Sequence, residues 1–400
     1  MVENQGLDEE NLDIETRQHE AEGSLLAGWP AILLTVAMLA SAVYAFAPRP
    51  FPPFSPTQLK ASEMMANGLA HQGSRYIAVG ELGMIKYAED ANGPWRDAKV
   101  EPQRGATLTK VKFVGDDVAL AVGHSGWLLR SEDGGKTWSE LRYNEQSADP
   151  LLGVSGPFKG KASGKLFVYG AFGQYLVSTD GGRNWRAETL SVQEDGTAQN
   201  SDAGTDLSAI FGDESEGTAS ETDSEDYDPF ASFEAGNVMT DYSTQHIYDI
   251  AEAADGSLFL AGERGMLLRS TDGGKTWQAF EDIYSGSFYG LLAVGESGML
   301  VYGMRGHAYL TDDMGQTWAP SNIPVVQGLY SADMSGQGSI LMVGASNTVL
   351  VSHDQGKSFK QVSRRGPDAL ASVMYLGDGR WLMAGEGGVG RESALKAADE

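Results

Sequence analysis

Short apolar runs of about five residues recur along most of the chain, and glycine or polar residues end each of them. Residues 118–130 and 258–269 show the arrangement, in which one apolar run ends at a Gly-x-x-Gly turn and a second run follows it. Such runs are typical of strands joined by tight turns. Each unit is therefore predicted to contain four strands. The first ends at a turn of glycine and aspartate residues, the second ends at Gly-x-x-Gly, the third follows that motif, and the fourth starts at a tryptophan.

A polar phrase, Ser-x-Asp-x-Gly-x-x-Trp, separates the third and fourth strands of each unit and is known as the Asp-box or BNR repeat. Five near-copies occur, at residues 131–138, 178–185, 270–277, 311–318 and 352–359. We expect the aspartate to accept backbone N–H groups, the glycine to adopt a positive φ, and the aromatic residue to pack between sheets. With a degenerate copy at residues 84–95, the predicted structural residues are Asp90, Trp95, Asp133, Trp138, Asp180, Trp185, Asp272, Trp277, Asp313, Trp318, Asp354 and Phe359.

The number of repeats predicts the architecture. The chain has seven units at a period of about 40 residues: five clear units, the degenerate first unit, and a last unit at residues 370–390 that has no box. Four-stranded units repeated in this way close into a ring, so we expect an all-β fold, a seven-bladed β-propeller over residues 59–392. The last unit lacks its outer strand, and we expect residues 54–59 to supply it and cover the open edge.

An apolar segment precedes the propeller. Residues 25–47 carry no charge and are mostly apolar, which is long enough to cross a bilayer core of about 30 Å. A cleaved signal peptide is the alternative, because Ala45-Phe-Ala47 resembles a cleavage site; the acidic residues before it and Pro48 after it favour an uncleaved anchor. We predict a transmembrane helix at residues 23–47 and a proline-rich spacer at residues 48–58, although the positive-inside rule mildly opposes an exported propeller.

The charge of the chain is concentrated in two segments. The net charge is −26; residues 1–22 account for −7 and residues 191–242 for −14, which leaves −5 on the remainder. This distribution excludes a nucleic-acid-binding surface of the usual basic kind. The chain has no cysteine, which excludes disulfides, thiolate metal sites, a cysteine nucleophile and a lipoprotein anchor. Residues 1–22 and 393–400 are interpreted as tails, the first acidic and disordered.

A long acidic insert separates the third and fourth units. Residues 190–244 occupy a connection that needs only about ten residues, and their composition predicts a segment that is disordered by itself. The insert also carries Phe211, Tyr227 and Phe230, which are candidates for ordering against a partner. A tolerated loop insertion is the alternative interpretation. A calcium site receives little support, since no EF-hand spacing occurs.

The topology of a blade predicts which residues share a face of the propeller. Turns between second and third strands lie on the same face as the connections between blades, and the boxes lie on the opposite face. The tips of the Gly-x-x-Gly turns are therefore candidate partner-binding residues, with tolerant surface positions as the alternative interpretation. These tips carry Glu81, His124, Glu263, Arg264, Arg305 and Glu386.

The run Gly-x-x-Gly-x-Leu-Leu-Arg-Ser-x-Asp-Gly-Gly-Lys-Thr-Trp, in units two and four, resembles the photosystem II stability/assembly factor family of BNR propellers. The resemblance covers residues 63–392 except the insert. It implies a seven-bladed, non-enzymatic, exported or lumenal factor that helps to assemble a membrane protein complex, and similar bacterial proteins are associated with RND-type exporters. The family uses an arginine-rich surface for partners, and Arg130 and Arg269 match its third-strand arginine.

Sialidases also carry Asp-boxes, so a glycosidase or a glycan-binding protein is the alternative. A sialidase needs three convergent arginines, a tyrosine nucleophile with its glutamate, and an acidic aspartate. The usual Arg-Ile-Pro is missing, and Tyr76, Tyr169 and Tyr302 are better explained by core packing. The histidines show no zinc-binding spacing. We therefore predict a monomeric, non-catalytic scaffold without cofactor, anchored in a bacterial inner membrane with the propeller on the periplasmic side.

Overall fold

The computed structural model describes residues 28–46, 60–193, 242–280, 283–362 and 367–393. The chain divides into two compact units, Met1–Thr57 and Gln58–Glu400. The predicted acidic tail at residues 1–22, the proline-rich spacer, most of the acidic insert and all but the first residue of the C-terminal tail lie outside the described residues.

The first unit contains one helix, α1 (Trp29–Phe46), of 18 residues. At 1.5 Å per residue it is about 27 Å long, close to the thickness of a bilayer core. None of its described side chains is buried. The helix is thus apolar and long enough to cross a membrane, as the sequence predicts for an N-terminal anchor.

The second unit is a seven-bladed β-propeller, which confirms the predicted fold. Each blade is an antiparallel sheet in which consecutive strands pair as neighbours. The strands of blades 1 to 3 are β1 (Ala66–Gln72), β2 (Arg75–Gly80), β3 (Ile85–Ala88), β4 (Arg96–Asp97), β6 (Leu108–Phe113), β7 (Ala119–Gly123), β8 (Leu128–Ser131), β9 (Thr137–Arg142), β10 (Leu151–Ser155), β11 (Leu166–Gly170), β12 (Tyr175–Ser178) and β13 (Arg186–Ala187), with β5 (Lys99–Glu101) between blades 1 and 2.

The remaining blades repeat this pattern. A short strand, β14 (Val192–Gln193), precedes blade 4. The strands of blades 4 to 7 are β15 (Ile247–Glu252), β16 (Leu258–Gly262), β17 (Leu267–Ser270), β18 (Trp277–Ala279), β19 (Phe288–Val294), β20 (Gly298–Gly303), β21 (Ala308–Thr311), β22 (Ala319–Pro320), β23 (Leu329–Met334), β24 (Ile340–Gly344), β25 (Val349–Ser352), β26 (Lys360–Gln361), β27 (Leu370–Gly377), β28 (Arg380–Gly385) and β29 (Gly388–Ser393).

The first strand of every blade is the innermost one, and it contacts the first strand of the next blade. The series runs from β1 through β6, β10, β15, β19 and β23 to β27, which contacts β1 again. Met64 and Ala66 pack against Met374 and Leu382 at this closure. The ring therefore closes between the last and the first blade. The residues expected to form the outer strand of blade 7, 54–59, lie outside the described range.

Two blades carry a parallel fifth strand that the repeat pattern does not predict. β5 pairs with β9, the outer strand of blade 2, and β14 pairs with β18, the outer strand of blade 4. In both cases the chain leaving one blade runs along the outer edge of the next blade. Each added strand covers an edge that would otherwise present unpaired backbone groups.

The hydrophobic core lies between neighbouring blades. Trp138 of blade 2 belongs to a buried cluster with Ile77 and Val79 of blade 1. Trp277 of blade 4 packs in the same way with Phe167 and Tyr175 of blade 3. Each of these box tryptophans fills the space between its own blade and the preceding one, so the repeat joins blades as well as closing turns.

A glycine ends the second strand of every blade because the start of the innermost strand lies against it. A Cβ atom at Gly123 would overlap the carbonyl oxygen of Thr107, and the same overlap recurs in the other blades. This close approach, rather than an unusual φ, explains the first glycine of the Gly-x-x-Gly pattern. The glycines concerned are Gly80, Gly123, Gly170, Gly262, Gly303, Gly344 and Gly385.

We expect Gly123→Ala to lower the free energy of unfolding by about 1–3 kcal/mol, because the methyl group must displace backbone atoms of the neighbouring strand. The matched control is Gly336→Ala, since Gly336 is exposed and has no atom within 4 Å of the added methyl group. Urea unfolding followed by tryptophan fluorescence measures both variants. Equal stability of the two variants would contradict the close approach.

We expect Trp277→Ala to cost about 3–5 kcal/mol, because the ring is only 1% exposed and its removal leaves a cavity between blades. Trp185→Ala should cost less, since the Trp185 ring is half-buried. Calorimetric unfolding of both variants provides the comparison. A Trp277→Ala protein as stable as the wild type would show that the ring does not join the blades.

Candidate partner-binding face

The two faces of the propeller differ in what forms them. The turn face consists of the turns between second and third strands, at residues 81–83, 124–126, 171–173, 263–265, 304–306, 345–347 and 386–387, together with the connections between blades. Backbone hydrogen bonds join these two parts. The N–H groups of Gly126, Gly173 and Gly265 donate to the backbone carbonyl groups of Asp149 (2.9 Å), Gln245 (2.8 Å) and Gly286 (2.9 Å), respectively. The box face carries the Asp-box turns at the opposite ends of the strands.

Each Asp-box is a self-contained hydrogen-bonded turn. In the first clear copy the Ser131 hydroxyl donates to Asp133 (2.9 Å) and accepts from the N–H of Gly135 (2.9 Å). The Asp133 carboxylate accepts the N–H groups of Lys136 and Thr137, and also the Thr137 hydroxyl (2.6 Å). The other four clear boxes repeat the serine or threonine bond to the aspartate. The box carboxylates are thus engaged within their own turns.

The degenerate first box lacks part of this network. Asp90 accepts the backbone N–H of Asn92 (2.7 Å) and the Asn92 side-chain amide (2.8 Å). The position of the box hydroxyl is occupied by Ala88, and Trp95 is half-buried. The tryptophan is therefore present in this blade above a turn with fewer hydrogen bonds.

The hydrogen bonds lower the pKa of the box aspartates. Partial burial acts to raise the pKa of Asp272, but the bonds from the N–H and hydroxyl of Thr276 outweigh it and lower the pKa to about 2. The Thr317 hydroxyl is the main cause that lowers the pKa of Asp313 to about 2. The pKa values of Asp133, Asp180 and Asp354 are also lowered. All five carboxylates are therefore ionised at neutral pH.

The six predicted turn residues all lie on the turn face. His124, Arg264, Arg305 and Glu386 are exposed, while Glu81 and Glu263 are half-buried. The Glu263 carboxylate accepts the backbone N–H of His246 (3.2 Å) and lies 2.7 Å from its ring Nδ1. Glu386 accepts the N–H of Ala369 (2.9 Å) in the equivalent way. Glu263 and Glu386 thus hold the starts of innermost strands, and the polar side chains most available to a partner are His124, Arg264 and Arg305.

The two family-type arginines are not part of this group. Arg130 is 5% exposed, and its guanidinium lies 2.6 Å from Glu132. Arg269 lies 2.9 Å from Asp255 and donates through Nε to the Ser257 hydroxyl. Both side chains belong to third strands, of blades 2 and 4, and each pairs with an acid nearby. The insert residues Phe211, Tyr227 and Phe230 lie outside the described part of the chain.

Sequence reasoning missed the apolar side chains of the turn face. Leu82 is 60% exposed, Phe172 56% and Val326 77%, and Tyr330 of β23 is 40% exposed. Leu82 and Phe172 occupy turn tips, and Val326 lies next to the turn at residues 304–306. For Leu82 and Phe172 the sequence signal is a large apolar side chain at the third residue of the Gly-x-x-Gly turn, where the other blades have serine, arginine or glycine.

The central channel contains a cavity of about 500 Å³. The phenol of Tyr169 lies 3.0 Å from Asp249, and Tyr302 accepts the N–H of Ala332 in the next blade (3.0 Å). Burial raises the pKa of both tyrosines. These two side chains, which a sialidase interpretation would examine as nucleophiles, therefore join blades as neutral phenols. Within the described ranges no group of three or more His, Cys, Asp or Glu residues is placed to hold a metal ion.

Comparison with known proteins gives one repeat family and two curated relatives. The BNR/Asp-box repeat matches residues 268–279. The chain is 23% identical over 212 residues to the photosystem II assembly protein Ycf48 of Synechococcus sp. (strain JA-3-3Ab), covering 49% of this chain and 58% of the relative. It is 25% identical over 186 residues to the photosystem II assembly lipoprotein Ycf48 of Nostoc sp. (strain PCC 7120), covering 45% and 50%. The chain spans about half the length of these relatives.

Solved structures confirm the fold. YCF48 from Cyanidioschyzon merolae superposes with a TM-score of 0.57 at 17% identity, over 83% of this chain and 96% of that one. YCF48 bound to D1 peptide superposes with a TM-score of 0.56 at 13% identity, over 83% of this chain and 94% of that one. The WD40 propeller domain of Doa1 gives 0.53 at 12% identity, over 82% and 92%. The predicted resemblance to photosystem II assembly factor-like BNR propellers is thus confirmed.

We expect the propeller to lose stability on acidification because of its box aspartates. The folded-state pKa of Asp272, about 2, is below the unfolded value of about 3.9, so its contribution is present above pH 4 and is lost as the pH falls toward 2. Asp272→Asn should therefore lower the unfolding temperature at pH 7 and flatten its fall between pH 5 and pH 2.5. An Asp116→Asn control, at an exposed position, should keep the wild-type pH profile. Identical slopes for Asp272→Asn and wild type would contradict this assignment.

Proposed function

We propose that this chain is a membrane-anchored, non-catalytic propeller that acts as an assembly or accessory factor for a membrane protein complex. The observation that carries the proposal is the combination of a membrane-length apolar helix with a propeller similar to the Ycf48 assembly proteins. A helix of this kind concentrates the propeller at a membrane, where its partners would be membrane proteins.

The chemistry of the two faces supports docking through the turn face. On the box face, the carboxylates and hydroxyls are engaged in their own turns, as in the bonds of Asp133. On the turn face, the apolar side chains of Leu82, Phe172 and Val326 are more than half exposed. Exposed apolar side chains bordered by charges are typical of protein interaction surfaces. The turn face is therefore the surface that we assign to the partner.

The absence of enzymatic activity is also part of the proposal. Tyr169 and Tyr302 are buried and hydrogen-bonded between blades, so neither is available as a nucleophile. The box carboxylates are ionised and held by several donors, which suits a structural element better than a general acid. These features favour binding over catalysis.

The proposal also specifies the compartment and the kind of complex. We place the chain in a bacterial inner membrane with the propeller in the periplasm, and one relative named as a lipoprotein supports membrane attachment of such propellers. An RND-type exporter is our candidate for the complex. A YCF48 structure contains a D1 peptide, which supports binding of a polypeptide segment by this type of propeller.

Affinity purification of the full chain from crosslinked, solubilised membranes tests this function. We expect the chain to capture one membrane complex in a stoichiometric amount. When a subunit of that complex carries the affinity tag instead, the chain should copurify with it. The double variant Arg264→Glu, Arg305→Glu should reduce capture roughly tenfold or more, because it reverses charge on the turn face.

The matched control is Lys136→Glu with Lys275→Glu, which reverses two charges on the box face. This control should capture the complex as the wild type does. A wild-type chain without any stoichiometric protein partner would contradict the proposed function and direct the search to glycan binding. Loss of capture in the box-face variant alone would place the docking surface on the other face.

A further inference from the structure

Every innermost strand has a β-bulge directly after its first residue. In blade 4, for example, Ile247 pairs with Gly262 and Asp249 with Ala261, so Tyr248 is the extra residue. The first paired residue of each strand lies beside the turn face, and the bulged residues therefore form a ring around the turn-face end of the channel. The ring consists of Asn67, Thr109, Leu152, Tyr248, Tyr289, Tyr330 and Ala371.

Three consecutive positions of this ring are tyrosines, and their rings form a continuous series. The Tyr248 and Tyr289 ring centroids are 5.2 Å apart in an edge-on arrangement, and those of Tyr289 and Tyr330 are 5.7 Å apart. His246 stacks on Tyr248 at 6.1 Å, and Phe172 lies 4.9 Å from His246. We call these five residues the channel-mouth arc. It covers blades 3 to 6, whereas the opposite half of the ring has Asn67, Thr109 and Ala371.

The end of the arc at Phe172 is not explained by the fold. Phe172 is 56% exposed at the tip of its turn and has a φ of +52°, in the left-handed region that disfavours large side chains. The equivalent tips of five other blades have the same left-handed φ, so the turn sets this conformation; these tips carry Leu82, Ser125, Arg264, Arg305 and Ser346. Phe172 differs from these tips in being aromatic, and an exposed aromatic ring contributes little to the core, so its presence indicates a binding role.

Two tyrosines of the arc, Tyr248 and Tyr289, are neutral side chains in blades whose turn tips carry exposed arginines. Partial burial raises the pKa of Tyr248 to about 12 and also raises that of Tyr289, so both remain phenols at physiological pH. Arg264 and Arg305 are the exposed turn tips of blades 4 and 5, the blades that carry these tyrosines. Of the acidic tips, Glu386 and Glu81 belong to blades 7 and 1 on the other side of the channel, and Glu263 of blade 4 is half-buried and accepts the N–H of His246. The exposed charges of the turn tips beside the arc are therefore the two arginines.

We propose that the channel-mouth arc is the docking site for a loop or chain end of a partner protein that presents a large apolar side chain next to Asp or Glu residues. The apolar side chain packs on the tyrosines and Phe172, and the acidic residues face Arg264 and Arg305. An aromatic centre with a charged border is the usual anatomy of an energetically dominant contact. The inference rests on the proposed function and identifies where and by what chemistry that partner is held.

The surrounding surface favours a polypeptide over a glycan. Leu82 and Val326 are further exposed apolar side chains on the same face, and aliphatic side chains of this kind match apolar side chains of a protein. A sugar ring would stack on the aromatic residues alone and would not need Leu82 or Val326. The experiment must therefore distinguish binding of a glycan from binding of a polypeptide.

Site-specific photo-crosslinking in native membranes tests the site. The photoreactive residue p-benzoylphenylalanine replaces Phe172 or Tyr330 in the full chain, and Leu141, 38% exposed on the outer strand of blade 2, is the control position. We expect crosslinks from positions 172 and 330 to one segment of the captured complex, which contains a large apolar residue next to Asp or Glu. The control position should give few crosslinks to that segment.

A second variant separates binding from folding. Phe172→Gly relieves the left-handed strain, so the unfolding temperature should stay the same or rise, while capture of the complex falls roughly tenfold or more. Ser125→Gly makes the same backbone change at the tip of blade 2 and should leave capture unchanged. Full capture by Phe172→Gly would overturn the proposal.

The outcomes distinguish the inference from the proposed function. A complex captured by the wild type that never crosslinks to positions 172 or 330 leaves the function standing and overturns the docking site. Crosslinks from these positions to residues 194–241 of the same chain, or to glycan alone, also overturn it, since the arc then has another occupant. A wild type that captures no complex contradicts the proposed function itself.

Discussion

The structure depends on holding seven sheets around one axis, and polar bonds between the first and second strands of neighbouring blades provide this constraint. Asn67 and Thr109 donate to carbonyl groups of the next blade, and Asp249 bridges blades 3, 4 and 5. Tyr302 and Asp333 accept N–H groups of blades 6 and 7. Apolar packing alone is not directional, whereas these bonds fix the rotation of six neighbouring pairs of blades, from blades 1 and 2 to blades 6 and 7. The positions of both faces follow from them.

The two faces then have separate roles. On the box face, hydroxyl and carboxylate groups close turns, and their tryptophans join blades, so substitutions there act through folding. On the turn face, glycines allow the innermost strands to start against the second strands, and the turn tips remain exposed. Side chains at these tips contribute little to the core, which leaves them available for recognition. A propeller of this kind therefore combines a rigid scaffold with one face of exposed turn tips.

The sequence predicts the blades because the box interactions are local. Ser131, Asp133 and Thr137 bond within one turn, so their spacing alone indicates the structure. The parallel strands β5 and β14 have no periodic pattern, and three residues or fewer are too short a signal. The burial of Arg130 depends on Glu132 and on Gly181 of the next box, a contact across blades. The channel-mouth arc combines residues that lie one repeat apart, which only the closed ring brings together.

Hydrogen–deuterium exchange of the full chain, alone and in its purified complex, is the most direct measurement of docking through the turn face. The turns at residues 171–173, 263–265 and 304–306 should gain protection in the complex. The box turns at residues 133–137 and 272–276 should exchange at the same rate in both states. Protection confined to the box turns, with the turn face unchanged, would contradict the proposed docking surface.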